Sequence, residues 1–254
     1  MKSKAQQNDF QIWNNVKQIR GVVQIICHIG CDVNQYNRFA KFLNKNGYVV
    51  WANKTKLEQQ TTVANIINTE IKTTEYLRKK YKKPVFLFGD GFGSVITQQI
   101  IAKSRLCTAG VCMSGGVRYP KIWVWLWSKF VWLEKRMRGN GANVRIPDVL
   151  SSGANQNDCI TYELYYSILK SLLKTNYNVC CGTPLLIIGG GGDIKTLNGR
   201  LAKSLYNAYK EQDLQNLTLI IYPDTKHQVL FEQDWAQAQQ DILDFLDDVN
   251  TSTL

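Results

Sequence analysis

Short apolar runs alternate along this chain with longer segments whose apolar residues recur every three or four positions, and that alternation narrows the fold more than anything else. Val22 to Cys27 reads as a buried strand. Tyr36, Phe39, Ala40 and Leu43 follow at helical spacing, and Gly47 stops them. Tyr48 to Ala52 is a second strand, and Val63, Ile66, Ile67, Ile71, Thr74 and Leu77 line one face of a long helix. Pro84 opens a third strand, Val85 to Phe88; a glycine-rich turn, a helix from Ser94 to Lys103 and a fourth strand, Thr108 to Met113, follow. The rhythm breaks between Val117 and Cys180. It resumes with a strand at Leu185 to Ile188, a helix around Leu197 to Tyr209, and a strand at Leu217 to Tyr222. A closing helix carries Trp235, Ala238, Ile242, Phe245, Leu246 and Val249 on one face. Units of this length imply an α/β fold with a mostly parallel, doubly wound sheet.

Chemistry in such a sheet concentrates at strand-to-helix turns. Phe86-Leu87-Phe88-Gly89-Asp90-Gly91-Phe92-Gly93-Ser94 has the layout of a nucleophile elbow. That turn demands small residues two before and two after its apex, because strand and helix backbones nearly touch there. Gly89 and Gly93 satisfy this with Gly91 at the apex. An apex at Asp90 would put Phe88 and Phe92 at the tight positions, so an aspartate nucleophile fails on sterics. Glycine carries nothing that can attack. A phosphate-cradling glycine loop lacks both its lysine and the full G-x-G-x-x-G spacing.

Composition sets the outer limits. The chain has 254 residues, 44% hydrophobic and 20% charged, which is ordinary for a globular protein. Its opening residues are polar, with no signal-peptide core, and no apolar stretch is long enough to span a bilayer. Seven cysteines without paired C-x-x-C spacing read as reduced, buried thiols, pointing to an intracellular, cytoplasmic chain with no metal and no cofactor. The net charge of +11 favours anionic partners. Nucleic acid is disfavoured among these, although charge alone does not exclude it. The densest basic run, Arg78 to Lys83, closes a predicted helix, where cations complement the helix dipole.

Gly21 to His28, Tyr36 to Leu43 and Asn46 to Val50, with the elbow, resemble the opening of the monoacylglycerol lipase and lysophospholipase family of α/β-hydrolases. Pro184 to Ile188 running into Gly192-Asp193 resembles the strand that delivers that family's triad aspartate, and Asp224 to Leu230 resembles the loop carrying its histidine. The resemblance spans about residues 21 to 249 and implies a retained acid–base pair, Asp193 and His227, facing the vacant nucleophile position at Gly91. It also implies oxyanion donors at Phe92 and Gly30. The chain has only two histidines, His28 and His227, and both fall on family positions. The departures are as informative. Asp90 stands for the usual elbow histidine, Gly91 for serine, Ile29 for the oxyanion glycine, and Asn53-Lys54-Thr55-Lys56 for Asp-x-Arg-Gly; the loop before Tyr36 is one residue short and the leading hairpin is truncated.

Residues 117–180 sit where the family places a lid, leaving 1–116 and 181–254 as the hydrolase core. Within the lid, Trp123, Trp125, Trp127 and Trp132 interleave with apolar residues and precede Lys135, Arg136 and Arg138. Tryptophans beside cations suit a membrane interface. Packing inward as a pocket roof is the favoured expectation, because four exposed tryptophans would make a larger patch than soluble monomers usually tolerate. Three functions follow: a pseudoenzyme binding an acyl lipid, another small apolar ligand or a protein partner; an ester hydrolase with an unrecognised nucleophile; or a structural subunit of a larger assembly. Peripheral membrane association is compatible with the first.

Overall fold

The computed structural model describes residues 10–28, 30–53, 61–114, 121–139, 142–145, 159–174, 182–212, 214 and 216–252. In chain order the regular elements are β1 (Phe10–Trp13), β2 (Gly21–Ile26), α1 (Asn37–Lys45), β3 (Tyr48–Asn53), α2 (Val63–Tyr81), β4 (Val85–Asp90), α3 (Phe92–Lys103), β5 (Ala109–Met113), α4 (Lys121–Arg138), β6 (Asn143–Arg145), β7 (Cys159–Thr161), α5 (Tyr162–Lys174), β8 (Leu185–Gly190), α6 (Arg200–Lys210), β9 (Leu217–Tyr222) and α7 (Trp235–Ser252). Seven strands form one sheet in the order β1-β3-β2-β4-β5-β8-β9. All neighbours pair in parallel except β1, which runs antiparallel to β3 at the edge.

Alternate residues of each strand enter opposite cores. Val23, Ile25, Phe86, Phe88, Leu186 and Ile188 pack with α1 and α7, whereas Ile26, Leu87, Cys112 and Ile187 pack with α2, α3 and α6. Burial on both faces explains why these strands read as continuous apolar runs. Two strands outrun the sequence reading by two residues each. β4 continues through Gly89 to Asp90 and β8 through Gly189 and Gly190, glycines that look like stops but let helices lie close: a Cβ on Gly189 would sit 2.9 Å from the Ala202 Cβ. The single strand β1 is the whole leading antiparallel element among the described residues, in place of a hairpin.

Between β5 and β8, α4 lies along α5, and β6 and β7 form a small antiparallel pair. Val124 and Val131 of α4 join the core cluster together with Ile160, Leu164, Tyr165 and Ile168. The tryptophans do not. Trp123, Trp125, Trp127 and Trp132 are 68%, 47%, 42% and 42% exposed, so the inward-facing expectation is overturned. The reason is the narrowness of the buried stripe: only Val124, Ser128 and Val131, spaced i, i+4 and i+7, are buried on this helix among the described residues, while Trp127 meets the Tyr165 ring edge-on from the margin.

The basic run at the end of α2 is absorbed as the sequence suggests. Arg78, Lys79 and Lys80 occupy the last helical turn, and the Lys80 ammonium lies 5.4 Å from the Tyr76 ring centre. The cysteines at 27, 31, 107, 112 and 159 are free thiols, and burial pushes the Cys107 thiol up to about 12. Cys180 and Cys181 lie outside the described residues. No helix among the described residues is long and apolar enough to cross a membrane.

Candidate active site

Gly91 has φ 55° and ψ −122° and links the last residue of β4 to the first of α3. A side chain there is strained, yet the turn forces this geometry on whatever occupies the apex. The flanking glycines are compulsory. A Cβ on Gly93 would lie 1.9 Å from the Ile26 carbonyl oxygen, and one on Gly89 would lie 2.6 Å from the Gly93 oxygen and 2.5 Å from Thr97 Oγ1. The apex amide donates to the Met113 carbonyl at 3.0 Å, which ties the turn to β5.

Two serines also stand near this turn, besides Thr97. Ser94 is fully buried, its Oγ lying 2.9 Å from the Gly89 oxygen and 2.8 Å from the Met113 oxygen, so it locks strand to helix. Ser114 follows β5 directly, with φ 57°, and its buried Oγ has no hydrogen-bonding partner among the described residues. Sequence reasoning passed over Ser114, because nothing in its neighbours signals a left-handed serine.

Asp90 is a structural carboxylate beside the apex. It is 1% exposed, and its Oδ2 accepts a 2.6 Å hydrogen bond from the Tyr36 hydroxyl. Burial, then the Asp90 charge, raise the Tyr36 phenol well above its ordinary pKa, which keeps it a donor. The Asp90 Oδ1 has no partner among the described residues.

The loop after β8 brings the acid. A Cβ on Gly190 would lie 1.9 Å from the Lys226 oxygen, and one on Gly191 2.5 Å from the Pro223 oxygen, so these glycines let the loops after β8 and β9 touch. Asp193 is 2% exposed and caps a short 3-10 turn, accepting from the Lys195 amide at 3.0 Å and from Thr196 Oγ1 at 2.6 Å. Its Oδ2 lies 2.7 Å from Nδ1 of His227. Burial works against ionisation of Asp193, but the bonds from His227, Thr196 and the Lys195 amide prevail and hold its carboxyl below the usual range. Glu232, which the sequence reading did not single out, braces the histidine loop by accepting from the amides of Lys226 at 2.5 Å and Gln228 at 3.0 Å.

The remaining expected residues lie at the same end of the sheet, because each follows the C-terminal end of a parallel strand. Phe92 opens α3, where amides have no acceptor within the helix, and Gly30 follows β2 with φ 77°. His28 is 1% exposed, its Nε2 3.4 Å from Gln35 Nε2, which itself donates to Cys31 Sγ at 2.7 Å. Asn53 turns toward α2, its Nδ2 donating to Glu70 at 3.0 Å and to Thr73 Oγ1 at 2.9 Å. Ile29 and Lys54 to Lys56 lie outside the described residues. No group of three His, Cys, Asp or Glu suited to a metal occurs among the described residues.

No protein-family model matches the sequence, and no curated protein is similar enough to match it. Solved structures do match in shape. A thermostable carboxyl esterase from Bacillus coagulans, in complex with glycerol, superposes with a TM-score of 0.80 at 15% identity, covering 95% of this chain and 94% of that one. A soluble variant of monoglyceride lipase from Saccharomyces cerevisiae, in complex with a substrate analogue, gives 0.76 at 15% identity over 94% and 91%. A monoacylglycerol lipase from Paleococcus ferrophilus gives 0.72 at 17% identity over 94% and 98%. Identities this low carry the fold and not the activity.

Proposed function

We propose, from the premise that this chain has the α/β-hydrolase fold in the form seen in monoglyceride lipases, that it is a pseudoenzyme retaining an acid–histidine pair beside an apex without a nucleophile. Its site binds an acyl lipid or similar small apolar ligand and does not turn it over. One observation carries this reading: the residue that takes the apex geometry is Gly91, with φ 55° and ψ −122°. Ser94, the hydroxyl nearest in sequence, is locked by two carbonyls. The esterase and monoglyceride lipase structures that share the fold support acyl esters as the ligand class.

The test is labelling with a fluorophosphonate probe. The wild-type chain is expected to stay unlabelled, Gly91→Ser to become labelled, and Gly91→Ser/His227→Ala to lose the label. Lipid extraction of the purified chain followed by mass spectrometry is expected to yield a bound acyl species. Robust wild-type hydrolysis of monoacylglycerol or p-nitrophenyl esters, abolished by His227→Ala, overturns the proposal.

A second reading rests on Ser114. A strained left-handed serine whose buried hydroxyl has no partner among the described residues, next in chain to the residue whose carbonyl holds the apex amide, is a candidate displaced nucleophile for an ester hydrolase. Peptide mapping of a labelled wild-type chain to Ser114 selects this reading over the first.

A further inference from the structure

Thirteen large apolar side chains are exposed among the described residues, and nine of them lie on α4. At 100° per residue, the buried stripe of Val124, Ser128 and Val131 faces the protein body. On the far side of the helix, roughly 105–175° from that stripe, run Ile122, Trp123, Leu126, Phe130, Leu133 and Met137, each 47% to 69% exposed. This outer stripe spans about 22 Å of helix. It contains no hydrogen-bonding group apart from the indole of Trp123. Along one margin, Lys129 Nζ lies 5.6 Å from the Trp125 ring centre and the Arg136 guanidinium 5.6 Å from that of Trp132. Neither cation has an ion-pair partner among the described residues, whereas Lys135 pairs with Glu163 and Arg138 lies 3.9 Å from Glu134.

We propose that α4 docks this protein in the plane of an anionic lipid surface, with the outer stripe in the acyl boundary and the Trp–cation margin at the headgroups. Six charged residues in α4 preclude its crossing a bilayer, and an apolar face edged by tryptophan and cations is the form of an interfacial helix. A second copy of this chain fits less well, since a parallel twofold contact along α4 sets Lys129 and Arg136 against their own symmetry mates, and an antiparallel one centred on the stripe still sets Lys129 against its mate. A protein partner also fits less well: a protein interface of this length carries several hydrogen bonds, and the outer stripe offers almost none. The net charge of +11 favours the anionic surface at longer range. The docking depends on α4 alone and stands whether or not the Gly91 site holds a lipid.

The experiment is flotation of the full chain with vesicles of phosphatidylcholine alone and of phosphatidylcholine with phosphatidylglycerol, at low and high salt. The wild type is expected to float with the anionic vesicles and to lose most of that binding in neutral vesicles or high salt. Trp123→Ala/Phe130→Ala should weaken partition roughly tenfold or more. Lys129→Ala/Arg136→Ala should weaken it roughly fivefold per cation. All four side chains are exposed, so unchanged far-UV dichroism and melting are expected for both variants. The proposal is overturned if the wild type stays with neither vesicle, if it floats equally with both, or if the variants float like the wild type. It is also overturned if the wild type sediments as a dimer that Trp123→Ala/Phe130→Ala converts to a monomer.

Discussion

Nδ1 of His227 lies 2.7 Å from Oδ2 of Asp193, two residues delivered by separate loops and 34 positions apart in sequence. In this geometry the carboxylate fixes the ring with its proton on Nδ1 and leaves Nε2 as the acceptor. A pair of this kind is costly to hold in a buried place, and three further donors and braces keep it there.

Asp193→Asn is therefore expected to release the tautomer. The chain has two histidines, so nitrogen NMR of the ring resolves His227 directly, and the variant should shift its signals from the Nδ1-protonated form toward a mixture. Because folding depresses the Asp193 pKa, its stabilisation is present above the ordinary carboxyl range and is lost as pH falls through the folded value. Denaturant unfolding should show a wild-type advantage of about 1.5–3 kcal/mol at neutral pH that shrinks in acid. An unchanged ring spectrum in Asp193→Asn contradicts the assigned role.

The elbow glycines should differ sharply in tolerance. Gly91→Ala meets the backbone strain of its positive-φ geometry, which should cost about 1–3 kcal/mol. Gly93→Ala drives a methyl onto the Ile26 carbonyl and should cost more than about 4 kcal/mol or prevent folding. Equal losses in urea unfolding contradict the assignment of Gly91 as apex.

How far the sequence carried these conclusions varies by residue. Strand β9 reads directly, since Leu217 to Tyr222 is apolar at every position but Thr218 and is followed by Pro223. The ends of β4 and β8 do not, because Gly89, Gly189 and Gly190 look like stops until the packing of the neighbouring helix and loop is known. Asp193 and His227 were legible through chain order in a familiar family. Tyr36–Asp90, Glu232 and Glu70 were not, since each bridges elements with no shared periodicity. The tryptophans of α4 misled for a physical reason: the limit on exposed apolar area presumes a monomer in water, and the helix can bury only one narrow stripe against its own cap.

The Tyr36–Asp90 bond gives a third expectation. Tyr36→Phe leaves a buried carboxylate with neither oxygen hydrogen-bonded among the described residues and should cost several kcal/mol, of the order of 3. Asp90→Asn in that background removes the charge and should recover part of the loss. A double-mutant cycle by chemical denaturation measures the coupling, expected at about 1–3 kcal/mol. Strictly additive losses show that the bond contributes nothing.

Glu70 carries the last expectation. It is 4% exposed on α2, and its carboxylate accepts from Gln24 Nε2 at 2.7 Å and Asn53 Nδ2 at 3.0 Å. Burial dominates these bonds and pushes its pKa up from 4.5 to about 7. The native state thus holds a proton that the unfolded chain has released. The stability tied to that proton is fully present below the unfolded pKa and is lost as pH rises through the folded one. Between pH 4.5 and about 7 the wild type should lose up to ~3 kcal/mol from this one group. Glu70→Gln keeps the shape, cannot ionise, and retains a carbonyl to accept from Gln24 or Asn53. The difference in unfolding free energy between the two proteins should therefore swing toward Glu70→Gln as pH rises across that window, while contributions from other titrating groups cancel. Parallel pH profiles for the two proteins would show that Glu70 titrates like an exposed carboxylate.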